Sequence, residues 1–83
     1  MFVKWLFDYF PERKKADVVK NQGLVLGSRI RDGRKIYLYM IEGFFAEVTY
    51  SHDNIDEQPE IIETFSDLAH LNPYLEQGLE GVY

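Results

Sequence analysis

Apolar and polar positions fall into three regimes along the chain. Residues 1–10, MFVKWLFDYF, are apolar or aromatic at eight positions. As a helix, Phe2, Trp5, Leu6, Tyr9 and Phe10 share one broad face, widened by Val3 and Phe7, and only Lys4 and Asp8 form a polar stripe. Pro11 ends that helix. The following KKADVVKNQG predicts a second, short helix, with Lys20 near its end and Gly23 as a natural stop.

From Leu24 the period changes to two, which predicts strands over about 24–31, 35–41 and 44–52. The strands are separated by two similar turns, IRDGR and MIEGF. Three-residue loops (Arg31-Asp32-Gly33 and Ile41-Glu42-Gly43) put Leu24, Leu26, Ser28, Ile30, Ile36, Leu38, Met40, Phe44, Ala46, Val48 and Tyr50 on one face. Two-residue turns would instead set Ile36 opposite Arg29 and Leu38 opposite Glu47, so the longer loops are the expectation. The acidic loop SHDNIDEQP leads to a fourth strand over 60–65. Ser66 is placed to cap a short helix, which Asn72-Pro73 restarts and Gly78 ends. Phe65, Leu68, Leu71, Tyr74 and Leu75 recur at roughly helical spacing. The expected fold is α+β: one domain over residues 1–83, with a four-stranded antiparallel meander, N-terminal helices and a short C-terminal helix packed on one side of the sheet.

This arrangement leaves a second sheet face made of Val25, Gly27, Arg29, Lys35, Tyr37, Tyr39, Ile41, Phe45, Glu47 and Thr49. Its centre is aromatic (Tyr37, Tyr39, Phe45) and its rim charged (Arg29, Lys35, Glu47). An apolar centre with a polar rim is the composition of an interaction surface. The competing expectation is that the opening helix covers it within the same chain.

Charge and composition narrow the functional classes. The chain has 83 residues, 13 aromatics and no cysteine, so disulfides and thiolate metal sites play no part. All nine basic residues lie in residues 1–41, beside only Asp8, Glu12, Asp17 and Asp32. The remaining ten acids lie in residues 42–83. The basic group SRIRDGRK could meet phosphates, but the acidic half on the same small body repels a polyanion. Mutual neutralisation of the halves is the better expectation, which argues against nucleic acid as a partner.

Catalytic chemistry has little to stand on. Ser51-His52-Asp53 are neighbours in sequence, which does not make a triad, since adjacent strand residues point to opposite faces. His52 with Asp53, Asp56 and Glu57 is the one conceivable metal cluster, and it matches no established ligand spacing. No catalytic residue, metal site or cofactor is assigned. The leading expectation is a non-enzymatic interaction or regulatory module, cytoplasmic, that binds a protein partner or a second copy. Its contacts would be Tyr37, Tyr39, Phe45, Arg29, Lys35, Glu47, Trp5, Phe2 and Tyr9. A small metal-binding or catalytic protein centred on His52 is the alternative. Peripheral membrane attachment through residues 1–15 is a weaker one, because Glu12 and Asp17 offset Arg13, Lys14 and Lys15.

Overall fold

The computed structural model describes residues 3–76. Its elements are α1 (Lys4–Tyr9), α2 (Glu12–Gln22), β1 (Leu24–Arg31), β2 (Arg34–Ile41), β3 (Phe44–Tyr50), β4 (Pro59–Phe65) and α3 (Asn72–Glu76). Single 3-10 turns lie at Ser51–Asp53 and Leu68–Leu71. The four strands form one antiparallel sheet in the order β1-β2-β3-β4. The fold is the expected α+β meander with helices at both ends of the chain.

The register corrects the expected loops. Arg31 pairs with Arg34 and Ile41 with Phe44, so both turns have two residues, Asp32-Gly33 and Glu42-Gly43. Asp32 and Gly33 both take positive φ (53° and 77°), the twist that suits the right-handed twist of a hairpin. In the second turn only Gly43 does, at 95°. A register shift between Val25 and Gly27 leaves Leu26 without a cross-strand partner.

One consequence is that neighbouring strands exchange faces relative to the expectation. Cross-strand pairing puts Tyr37, Tyr39 and Ile41 on one face with Val48, Ala46 and Phe44. Ile62 and Thr64 of β4 continue it. Ile36, Leu38 and Met40 lie on the other face with Thr49, Glu47 and Phe45, and with Ile61, Glu63 and Phe65.

Helices cover both faces, not one. Phe7 of α1 and Val18 and Val19 of α2 pack with Tyr39, Ile41, Phe44, Ala46, Val48 and Tyr50 in the main core. On the opposite face Tyr74 of α3 packs with Leu38 and Phe65, and Leu71 and Phe45 border them. Double coverage explains why β2 and the start of β3 are apolar at consecutive positions. A strand buried on both sides loses the alternation that would reveal its register.

The helices depend on this docking. Six residues are too few to hold α1 in water by themselves. The Phe7 ring meets Phe44 at 5.3 Å between centroids, and Phe10 lies 6.2 Å from Phe7. Thr64 Oγ1 donates to Asp8 Oδ1 at 2.5 Å, tying α1 to β4, and within α1 Lys4 Nζ donates to Asp8 Oδ2 at 2.9 Å. Gly23 ends α2 for a different reason from the one expected: its φ is −81°, open to any residue. A Cβ there would lie 2.5 Å from the Val19 carbonyl oxygen and 2.9 Å from the Tyr39 ring, so only glycine lets the chain pass from α2 into β1. Asp67, not Ser66, caps the turn at Leu68–Leu71, its carboxylate accepting from the Ala69 amide. Gly78 lies outside the described residues.

Candidate interaction surface

The opening helix docks by a different edge from the one its spacing suggests. Phe7 is fully buried and Phe10 half-buried, and these anchor α1 to the sheet. Trp5 is 66% exposed and Tyr9 82% exposed, with Val3 and Leu6 also open to solvent. Trp5 and Tyr9 are one helical turn apart, so both project from the same outward side. Phe2 lies outside the described residues. Two of the aromatics expected to make contacts are thus held together in the open by a helix whose other side is fixed.

The aromatic group expected on the sheet is divided. Tyr37 and Tyr39 belong to the face under α1 and α2, whereas Phe45 and Glu47 belong to the face under α3. Tyr39 is buried, and its hydroxyl lies 2.5 Å from that of Tyr50. Tyr37 meets Tyr50 edge-on at 5.6 Å. Phe45 stacks on Phe65 at 5.3 Å, and Phe65 on His70 at 4.9 Å. Lys35 lies on the Tyr37 side, its ammonium 5.2 Å from that ring centre.

Arg29 and Glu47 do meet, but inside the molecule. Glu47, only 8% exposed, accepts at one carboxylate oxygen from both Tyr74 Oη (2.6 Å) and Arg29 Nη2 (3.3 Å). The Arg29 guanidinium also lies over the Tyr74 ring, 5.3 Å from its centre. Burial first, then the hydrogen bond to the Glu47 carboxylate, pushes the Tyr74 phenol well above its ordinary pKa. Tyr74 therefore stays a proton donor to Glu47 across the physiological range. Sequence reasoning placed Arg29 and Glu47 on a rim because Tyr74, the residue that covers them, lies far along the chain.

The other arginines of the basic group are also engaged. Arg31 Nη2 meets Glu63 Oε1 at 3.1 Å across the sheet. Arg34 bonds Asp53 (3.1 Å), Glu60 (3.3 Å) and the Tyr50 carbonyl (2.9 Å). Each arginine of the SRIRDGR hairpin therefore reaches an acid from the second half of the chain. These contacts bring the two oppositely charged halves together and leave no cluster of uncommitted arginines on that hairpin.

His52 is 88% exposed on its side chain, in a tight turn where His52 and Asp53 both take φ near 55°. Its Nδ1 is 4.0 Å from Glu57, while Asp53 is drawn to Arg34. Among the described residues no group of three or more His, Asp or Glu side chains converges to hold a metal ion. No helix among them is long and apolar enough to cross a membrane. Comparisons with protein-family models, curated proteins and solved structures find no match.

Proposed function

We propose that this protein is a non-enzymatic interaction module that self-associates through the outward side of α1, Trp5 packing against Tyr9 of a second copy. The observation that carries this reading is the exposure of Trp5 and Tyr9 on a helix whose opposite side is anchored by Phe7. Solvated aromatics on a mobile tail would lose ordering entropy on binding. On a docked helix much of that cost has already been met.

Self-pairing follows from the spacing. When two α1 helices cross antiparallel about a two-fold axis, each Trp5 comes opposite the other copy's Tyr9, so one contact is made twice. Tryptophan and tyrosine are the residue types that dominate interface hot spots. An aromatic side chain buries roughly 150–250 Å², against about 800 Å² per partner in a standard interface. Trp5 and Tyr9 supply the centre of such a contact, with Val3 and Leu6 beside them.

Light scattering over a concentration series, for the wild type and for Trp5→Ala with Tyr9→Ala, tests this. The wild type should pass from monomer to dimer and the double variant should remain a monomer with a nearly unchanged melting temperature. A wild type that is monomeric throughout contradicts self-association. Sedimentation with anionic vesicles by a wild type that stays monomeric would assign the same side chains to a lipid surface instead.

A further inference from the structure

Between α2 and the loop entering β4 lies a cleft of about 380 Å³, within the size range of small-molecule sites. It lies apart from the outward side of α1. Its lining includes Tyr39 and Tyr50, both buried and with their hydroxyl oxygens 2.5 Å apart. Two phenols carry two protons. One is used in the bond between them, whichever of the two donates it, and neither hydroxyl has another hydrogen-bond partner among the described residues. The second proton thus has no protein acceptor, and since both tyrosines line the cleft it is available to an acceptor bound there.

The remaining lining is of two kinds. Val25, Ile55 and Pro59 provide apolar wall, and Val25 and Ile55 are also open to solvent. Asp17, Asp56 and Glu57 outnumber Lys20 at the solvent side. The carboxylates of Asp17 and Asp56 have no cation bound to them among the described residues, in contrast to Glu47, Glu60 and Glu63.

We infer that this cleft binds a small organic amine with an apolar body and a carbonyl-type oxygen, the oxygen accepting the spare phenolic proton and the ammonium facing Asp17, Asp56 and Glu57. Each part of the ligand answers one part of the wall. The donor selects an acceptor, the apolar side chains a hydrocarbon body, and the excess of carboxylates a cation over an anion. Burial first, and then the bond to Tyr39, raises the Tyr50 pKa, and burial raises that of Tyr39, so both phenols keep their protons in the physiological range.

Leucinamide is a suitable probe, because it joins an ammonium, an isobutyl body and a carbonyl. N-acetylleucinamide, which lacks the cation, is the control. Amide NMR shifts of the full chain should saturate around residues 55–58 with leucinamide, and N-acetylleucinamide should bind at least tenfold more weakly. Tyr39→Phe with Tyr50→Phe removes both hydroxyls and keeps both rings. It should weaken leucinamide binding about tenfold or more, a loss on the scale of one hydrogen bond. A second variant, Asp17→Asn with Asp56→Asn, leaves the phenols in place and should abolish the preference for leucinamide over the control. Absence of saturable shifts at residues 55–58, equal affinity for the two probes, or full affinity in a folded phenylalanine variant would overturn the assignment. None of these results depends on whether α1 self-associates.

Discussion

Glu47 illustrates how a single side chain can carry opposite meanings in sequence and in space. Read along β3, it is a polar position at the edge of an aromatic group. In the structure it is buried, shared between Tyr74 and Arg29, and it joins β1, β3 and α3. Arg29 is nearly as enclosed, with its Nε buried and unbonded, so its charge depends on Glu47. Glu47→Ala should therefore destabilise the protein by about 3 kcal/mol, the low end of the cost of stranding a buried charge. Tyr74→Phe removes one hydrogen bond to a carboxylate and should cost less, roughly 1.5–3 kcal/mol. Urea unfolding measures both, and a Glu47→Ala midpoint equal to the wild type's would contradict this role. The partnership was not legible beforehand, because it depends on which face each strand turns and on a residue in another element.

Among the elements, the strands and α2 were the most legible and the connections the least. The period-two pattern located the strands to within a few residues, and Gly23 marked the end of α2, whose start at Glu12 lies ahead of the expected KKADVVKNQG segment. The apolar pattern does not discriminate between the two turn lengths, because in β2 the run Ile36–Ile41 is apolar on both faces. The positive φ values at Asp32 and Gly33 belong to a turn that the Asp-Gly dipeptide does favour, so local turn chemistry was the better guide. In α1, spacing identified a helix apolar nearly all round but could not rank its sides. Phe44 on the sheet and Thr64 on β4 select the side bearing Phe7 and Asp8.

This selection has a pH signature. Burial acts to raise the Asp8 pKa, but the hydrogen bonds from Thr64 and Lys4 outweigh it and hold the carboxyl below its ordinary value. A carboxyl depressed on folding contributes stability above its unfolded pKa of about 3.9, and the contribution is lost as pH falls through the folded value. Asp8→Asn should thus lower the melting temperature at neutral pH and converge with the wild type in acid, below the carboxylate range. Melting curves at both pH values check this, and a gap that widens in acid would show that the Asp8 charge does not tether α1.

At the scale of the whole molecule, the division into a basic first half and an acidic second half becomes a set of contacts. Arg29–Glu47, Arg31–Glu63 and Arg34 with Asp53 and Glu60 each span the two halves. Those charges are used within the fold, which leaves the Trp5 and Tyr9 side of α1 as the aromatic surface on which the proposed function rests. Trp5 is the single tryptophan of the chain, so its emission reports that surface alone among the indoles. The most direct test is the Trp5 emission maximum followed from nanomolar to submillimolar protein in the absence of lipid. The account predicts an emission typical of exposed indole at high dilution and a cooperative blue shift as concentration rises, abolished by Tyr9→Ala. An emission maximum that stays at the exposed position across the whole range would contradict it.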